Sequence, residues 1–447
     1  MFVVTSSNPL FSPSNFHLFA LNSRSLLPNL LAVRCKMELV RKLGGSCCVV
    51  QSKKKNQKVK VIESGNSVDS GGEDVFDAGS AGGNVPPDHL VIMVNGIIGS
   101  AADWTYAAKQ FVNRLPDKVI VHCSECNSST LTFDGVDRMG DRLAEEVVTV
   151  VKRWPDVSKI SFVAHSLGGL VARYAIGRLY EDVPIVGSSH LKEKCANNSE
   201  QCHQQLFEAR IAGLQPVNFI TVATPHLGSR GHRQLPFLCG LLFLERRAPQ
   251  TAHWLVGRSG KHLFLTDNDD GGRPLLLRMV KDSEDVKFMS ALGSFKRRVA
   301  YANANYDHVV GWRTSSIRRQ HELPKMLTGP LIVSLVQSNL LVKDEKYPHI
   351  VYVQRETGDP MQNETSSVIA TQNLEEEMIR GLTQVPWERV DVSFHKSTQR
   401  YVAHNTIQAS SEATIAFIHV LSFNVKSYWL NSDGADVVLH MIDNFLL

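Results

Sequence analysis

The sequence has no uninterrupted run of about 18 apolar residues, the length that a membrane-spanning helix needs. Its longest apolar runs, such as 331–336, suit buried strands or helices. It also has no stripe of Lys and Arg interleaved with aromatics, and the formal net charge is only +4, so nothing supports nucleic-acid binding. The 447 residues are 43% hydrophobic and 21% charged, an ordinary globular composition with room for one large domain or two smaller ones.

Cysteines are few and scattered: there are eight, and they form no regular framework. Cys123 and Cys126 stand in a probable loop, and Cys195 and the pair Cys202-His203 stand in another. Thiolates at such spacings can chelate zinc, which is one interpretation. The second group is too widely spaced for the usual ligand pair, so we favour reduced thiols and expect no metal.

Acidic residues are missing from positions 1–36, which are rich in Ser, Asn and Leu and carry a few basic residues. Scattered prolines break the compact apolar block that a secretory signal requires. We interpret 1–36 as a transit peptide and expect import into the chloroplast. A disordered tail, with Met37 as the start and a cytoplasmic location, is the alternative. Residues 37–87 lack periodicity and end in Gly-Gly-Asn-Val-Pro-Pro, which is typical of a disordered linker.

Buried strands alternate with helical stretches in the remainder, 88–447. Continuous apolar runs predict strands at 90–94, 118–122, 159–163, 218–223 and 298–302. Residues 388–394 alternate between apolar and polar and predict a sixth strand, at an edge. Residues 135–154 have one apolar stripe and predict a helix, with Asp134 as its cap. The alternation predicts an α/β fold, a mostly parallel doubly wound sheet with helices on both faces, and active sites beyond the carboxyl ends of the strands.

Ala164-His-Ser-Leu-Gly-Gly169 lies between one of these strands and a helix. A serine on such a sharp turn needs small residues two positions before and after it, and here these are Ala164 and Gly168. The turn exposes the hydroxyl as a nucleophile and aims the amide of Leu167 at a developing oxyanion. We therefore predict Ser166 as a catalytic nucleophile.

The ends of the other strands offer the remaining parts of a hydrolase site. The turn after the first strand, Asn95-Gly96-Ile97, predicts Ile97 as the second oxyanion donor. Asp307 follows the fifth strand and is the predicted acid, with Asp282 and Asp285 as poorer candidates. His404 follows the sixth strand and is the predicted base, with His395 and His440 as rivals. The order Ser166, Asp307, His404 is the one that this architecture uses.

A substrate pocket is predicted around the same turns and is lined by Asn95, Gly96, His165 and His226. The segment 231–260 is rich in apolar and basic residues and is too long for a simple connector. We interpret about 229–290 as a helical cap or lid with an apolar acyl-binding wall. Its basic residues, Arg246 and Arg247, would then meet anionic lipid surfaces. An ordinary helical excursion that packs on the core is an equal alternative.

Six motifs follow one another along the chain: His89-Leu-Val-Ile-Met-Val-Asn-Gly-Ile-Ile-Gly-Ser100, Thr132-Phe-Asp-Gly-Val-Asp137, Ala164-His-Ser-Leu-Gly-Gly169, Ala223-Thr-Pro-His-Leu-Gly-Ser229, Gly257-Arg-Ser-Gly-Lys-His-Leu-Phe-Leu-Thr-Asp267 and Asp307-His-Val-Val-Gly-Trp-Arg-Thr-Ser315. In this order they resemble the plant branch of the lipase-like serine esterases, which are α/β-hydrolases. The resemblance covers residues 88–447 and implies a triad of Ser166, Asp307 and His404.

One segment departs from that pattern. The family's sequence behind the base should run from Gln408 straight into Val425-Lys426, but residues 409–424 intervene. We interpret 409–424 as an aberrant insertion, such as a retained intron fragment. A genuine insertion that forms an extra helix is the alternative.

These observations predict a serine hydrolase that cleaves carboxylic esters, acyl lipids or small esters, through an acyl-enzyme and without a metal or cofactor. Two alternatives stay open. An acyltransferase would use the same triad with an alcohol in place of water, and a catalytically inactive lipid-binding protein would use the same pocket.

Overall fold

The computed structural model describes residues 75–76, 86–184, 207–229, 256–268, 271–324, 344–355, 374–410 and 432–447. The chain divides into the units Met1–Glu63 and Ser64–Leu447, and all described residues belong to the second. The predicted transit peptide and nearly all of the predicted linker lie outside the described residues, so both stay predictions. Within the described part, no helix is long and apolar enough to cross a membrane.

A central sheet of eight strands organises the described residues, in the order β1-β3-β2-β4-β7-β8-β10-β9. The strands between β3 and β10 pair in parallel, whereas β1 and β9 run antiparallel at the two edges. This arrangement confirms the predicted, mostly parallel sheet. The strands are β1 Val75–Phe76, β2 His89–Val94, β3 Val119–Cys123, β4 Lys159–His165, β7 Gln215–Val222, β8 Arg297–Asn303, β9 Ile350–Arg355 and β10 Glu388–Val392. Between β4 and β7 the chain forms a separate antiparallel hairpin of β5 Tyr180–Pro184 and β6 Phe207–Ile211.

Helices cover both faces of the sheet, as predicted. One apolar core lies under α2, α3, α4, α5 and α7, and the other lies under α1 and α9. The helices are α1 Thr105–Arg114, α2 Val136–Arg153, α3 Leu167–Arg178, α4 Leu275–Arg278, α5 Phe288–Gly293, α6 Trp312–Ser316, α7 Leu374–Leu382, α8 Ala403–Thr406 and α9 Ala435–Asp443, with a further helical stretch at 256–263.

Strand β10 lies inside the sheet, between β8 and β9, so the predicted edge position is wrong. The prediction rested on alternating apolar and polar residues, but the polar residues Arg389 and Asp391 are both buried. Arg389 donates to the carbonyl of Ser316, and Asp391 accepts two hydrogen bonds of 2.8 Å from Arg318. Polar side chains that are paired in this way occupy an interior face without loss of hydrogen bonds.

The predicted cap of α2 is also wrong. The N-cap is Gly135, whose φ of 102° suits glycine. Asp134 lies one residue earlier and accepts a hydrogen bond of 3.0 Å from Arg142.

The described part of the predicted cap packs into the first core. Leu265, Leu276, Val280 and Phe288 are all buried there. The apolar run 235–244 and the two arginines that follow it lie outside the described residues. The cap therefore stays a prediction, and its described portion serves as core.

The chain behind α8 is anchored where the predicted insertion begins. The Ser410 hydroxyl donates to Asp103 at 3.0 Å, and Ala409 and Ser410 are both buried. Residues 411–424 lie outside the described residues. A Cβ added at Gly434 would collide with the carbonyl oxygen of Thr406 and lie 3.0 Å from the amide nitrogen of Ala409. The chain positions just before and just after 411–431 are therefore neighbours.

Candidate active site

Ser166 stands at the junction of β4 and α3 in the left-handed region, with φ 53° and ψ −129°. A non-glycine residue with this conformation is strained, and such strain clusters at functional sites. The Ser166 amide donates to the carbonyl of Val222 on the neighbouring strand at 2.8 Å, which holds the turn against the sheet. A Cβ at Gly168 would collide with the carbonyl oxygen of Asn95 and lie 2.7 Å from that of Val94. The turn therefore requires the small residue that the motif has there.

The turn after β2 packs directly against this serine. A Cβ at Gly96 would lie 2.9 Å from the Cβ of Ser166, so only glycine fits without a shift. The Asn95 amide donates to the carbonyls of Gly96 and Asn127, at 3.1 and 2.9 Å, and so shapes the turn. Further along the same turn, the backbone amide of Ile98 donates to the Thr132 hydroxyl at 2.9 Å.

One predicted oxyanion donor directly follows the serine in sequence, and the other belongs to the turn after β2 that packs against it. Leu167 is the first residue of α3, where amides have no carbonyl partner within the helix. Ile97 directly follows the glycine that touches Ser166. Their catalytic role stays a prediction.

The predicted base and acid join the serine in one hydrogen-bonded chain. His404 Nε2 lies 2.9 Å from Ser166 Oγ, and His404 Nδ1 lies 3.0 Å from Asp307 Oδ2. Since the carboxylate accepts, Nδ1 carries the proton and Nε2 is free to accept the serine proton. The side chains of Asp307 and His404 are 2% and 10% exposed, so the pair is largely shielded from water. The structure thus brings together three residues that are far apart in sequence.

Asp307 is held by donors on both carboxylate oxygens. Oδ1 accepts the amides of Val309 and Val310 at 2.9 and 2.8 Å, and Oδ2 accepts the Asn303 amide at 2.9 Å. Burial alone would raise the pKa of Asp307, but the attraction of His404 and these hydrogen bonds outweigh it. The pKa of Asp307 is therefore below its ordinary value, and the group is ionised at neutral pH.

Asn303 was missed by the sequence reasoning. It ends β8, donates to Asp307, and also donates to the carbonyl of Ala403 at 3.2 Å. A polar residue at the carboxyl end of a parallel strand was the available signal.

The rival residues take part in other contacts. Asp282 accepts the amides of Met289 and Ser290, at 2.7 and 3.1 Å. His395 is exposed and packs against the ring of Tyr306. His440 accepts or donates a hydrogen bond of 2.9 Å with Tyr301 in the second core.

The two remaining residues of the predicted pocket are both buried histidines. His226 is fully buried, with Nε2 2.9 Å from the Thr221 hydroxyl and its ring edge-on to Trp387. Burial, and to a lesser degree Arg173, lowers the pKa of His226 well below its ordinary value. His165 lies beside the base, with Nε2 2.7 Å from the His404 carbonyl oxygen. Burial and the nearby His404 lower the pKa of His165 to about 3.

A family model described as "Putative serine esterase (DUF676)" matches residues 84–317, just over half of the chain. The chain belongs to this family. Ser166 and Asp307 fall inside the matched residues, and His404 follows them. With its mostly parallel sheet and flanking helices, this serine esterase family member has an α/β-hydrolase fold.

Two fungal proteins are among its curated relatives. "Putative lipase C4A8.10" of Schizosaccharomyces pombe is 28% identical over 238 residues, and "Putative lipase ROG1" of Saccharomyces cerevisiae is 29% identical over 233. Each alignment covers 51% of this chain but only 26% and 28% of the relative. The chain therefore matches about a quarter of the length of these relatives.

Solved lipase structures are also similar, at low identity. The mature lipase BlEst2 of Bacillus licheniformis is 13% identical with a TM-score of 0.30, covering 52% of this chain and 71% of that one. Lipase B of Aspergillus fumigatus is 12% identical with a TM-score of 0.31, covering 55% and 44%.

The described residues contain no group of three or more His, Cys, Asp or Glu side chains placed to hold a metal. Of the thiols considered for zinc, Cys195 and Cys202 lie outside those residues. Burial and the nearby Glu146 raise the pKa of Cys126 to about 12, so this thiol is protonated at neutral pH.

Proposed function

We propose that this protein is a serine hydrolase that cleaves carboxylic esters with Ser166, His404 and Asp307. The observation that supports this most is the hydrogen-bonded chain from serine to imidazole to carboxylate, with the serine on a strained turn. Membership of the serine esterase family points to the same reaction.

In the proposed reaction, His404 Nε2 takes the proton of Ser166 Oγ as this oxygen attacks the ester carbonyl. Asp307 remains ionised and stabilises the imidazolium through its bond to Nδ1. The amides of Ile97 and Leu167 donate to the oxyanion of the tetrahedral intermediate. His404 then protonates the leaving alcohol, and water cleaves the acyl-enzyme with the same residues in the same roles.

Acyl lipids are the proposed substrates. The relatives in yeasts carry lipase names, which supports a lipid ester over a small polar one. We also propose that the segment around 231–260 belongs to a cap that contacts a lipid surface.

A fluorophosphonate probe tests the nucleophile. We expect covalent labelling of Ser166, and loss of both labelling and p-nitrophenyl ester hydrolysis in Ser166→Ala. Folded wild-type protein that neither reacts with the probe nor exceeds Ser166→Ala in ester turnover would refute the proposal. A lipid panel then ranks acyl substrates, and product analysis with a competing alcohol separates hydrolysis from acyl transfer.

We also propose that the protein belongs to a plant branch of the family and enters the chloroplast. The motifs of residues 89–315 and the acid-free composition of 1–36 support this. Fusion of residues 1–60 to a fluorescent protein tests it, and a fusion that stays in the cytoplasm would contradict it.

A further inference from the structure

His165 makes a contact that the proposed reaction does not use. It is the last residue of β4, directly before the nucleophile, and is only 3% exposed. Its Nε2 lies 2.7 Å from the backbone carbonyl oxygen of His404, and the centroids of the two imidazole rings are 4.7 Å apart. The residue before the serine therefore contacts the main chain of the base, 239 positions away in sequence.

The direction of this hydrogen bond follows from its partners. A carbonyl oxygen only accepts, so His165 Nε2 carries the proton and donates. With Nε2 protonated in a neutral ring, Nδ1 has a lone pair. A Cβ at Gly96 would lie 3.1 Å from this Nδ1, so the ring fills the space between the β2 turn and the base. Burial keeps His165 neutral, because its pKa is about 3.

The His404 carbonyl needs such a donor. In a continuing helix it would accept the amide of Gln408, but that amide donates to Asn405 instead, at 3.3 Å. Helix α8 is a single turn, Ala403–Thr406, and its last carbonyls must find partners outside the helix. His165 supplies the partner for His404.

The preceding carbonyl is held in the same way from the other side. Asn303, at the end of β8, donates to the carbonyl of Ala403 at 3.2 Å. The carbonyls of Ala403 and His404 are thus each bound by a side chain at the end of a strand. Asn303 ends β8, and His165 ends β4.

We propose that His165 is a positioning residue, whose Nε2–H holds the His404 main chain so that the imidazole meets Ser166. This role rests on the proposed function. Because His165 is neutral, it adds no repulsion to the imidazolium that His404 becomes 4.7 Å away, ring centre to ring centre. The positioning therefore does not oppose the charge that develops during the reaction.

Two substitutions of His165 test whether the hydrogen bond to the His404 carbonyl matters, or only a polar side chain at this position. The amide nitrogen of glutamine reaches about as far as Nε2 of histidine, whereas that of asparagine reaches only as far as Nδ1. His165→Gln should keep the bond and His165→Asn should lose it. A small misplacement of a reacting group costs up to about 100-fold in rate. We expect kcat to fall about 10- to 100-fold in His165→Asn with KM little changed, and to stay within about threefold in His165→Gln.

His89→Asn is the matched control. His89 is also a buried histidine whose Nε2 is bonded, here to the Ser161 hydroxyl at 2.7 Å, but it begins β2 at the opposite end of the sheet. We expect it to lower stability with kcat unchanged. Equal kcat in the two His165 variants, or a fall in His89→Asn as large as in His165→Asn, would overturn the proposal.

A readout without catalysis separates this proposal from the proposed function. In the Ser166→Ala background, hydrogen exchange of peptides that cover 403–408 should speed up with His165→Asn and not with His165→Gln. Unchanged exchange in both would reject the positioning role. An inactive wild-type protein that shows the expected exchange would instead reject the proposed function alone.

Discussion

Asp307→Asn is the sharpest test of the hydrogen-bonded chain, because the surroundings of the carboxylate decide how the amide would sit. Asp307 Oδ1 accepts two backbone amides, so the asparagine oxygen must take that position. Its NH2 group then replaces Oδ2, 3.0 Å from His404 Nδ1, and acts as a donor there. The imidazole must turn to the tautomer with Nδ1 unprotonated and the proton on Nε2, where it cannot accept the proton of Ser166.

The expected loss is large and specific to kcat. A wrong tautomer in a triad of this kind costs about 10,000-fold in kcat, or about 5 kcal/mol of transition-state stabilisation. The Asn303 amide also loses its acceptor on the former Oδ2, which costs about 1–3 kcal/mol of folding stability. Steady-state ester hydrolysis measures the first effect, and urea unfolding measures the second.

Asp282→Asn is the matched control, since Asp282 also accepts two backbone amides on one carboxylate oxygen. Because Asp282 is exposed, we expect a smaller effect on stability and no change in kcat. Activity of Asp307→Asn within about tenfold of wild type would refute the reasoning from the tautomer.

Three further predictions concern the turn, an ion pair and pH. Gly168→Ala should abolish fluorophosphonate labelling, because its Cβ would collide with the backbone of β2. Arg318→Met should lower the free energy of unfolding by about 3–5 kcal/mol in urea, because it removes the ion-pair partner of the buried Asp391. Thermal stability should fall as pH drops from 7 to 5. His89 and His165 have pKa values of about 4 and 3 in the folded state, so near pH 5 only their unfolded forms bind protons. This lowers the free energy of unfolding by about 2 kcal/mol for each histidine at pH 5.

Each of these has its own check. Gly272→Ala, with open space around its Cβ, should label like wild type, and equal labelling of Gly168→Ala would contradict the steric argument. If Arg318→Met loses less than about 1 kcal/mol, the Asp391 carboxylate is exposed to solvent in the variant, and the argument from a buried charge is wrong. Melting temperatures that stay flat between pH 7 and 5 would contradict the neutral state of the buried histidines.

The sequence predicted the parts of the fold and site that depend on local pattern. The apolar runs located the inner strands to within a few residues, because strands buried on both faces are continuous in hydrophobicity. The order of Ser166, Asp307 and His404 at strand ends located three side chains that the structure places in hydrogen-bond contact. A parallel sheet brings those ends to one edge, so chain order was enough to locate them.

The features that the sequence did not predict depend on contacts between distant residues. The alternating pattern of 388–394 predicted an edge strand, because the ion pair that buries Asp391 joins it to Arg318, 73 positions away in sequence. The contact of His165 with the His404 main chain, and that of Asn303 with Ala403, leave no periodic signal. Buried polar pairing of this kind follows from tertiary structure and is invisible to hydropathy.

The closeness of Gly434 to Thr406 and Ala409 brings together the two described ends that flank 411–431. Because the two sides already touch, a segment added between them acts as a closed loop, and each doubling of its length costs only about 0.6 kcal/mol. The Ser410 contact with Asp103 holds the near side of this junction. We therefore expect a tag or reporter inserted between residues 410 and 432 to leave the described residues on either side in place.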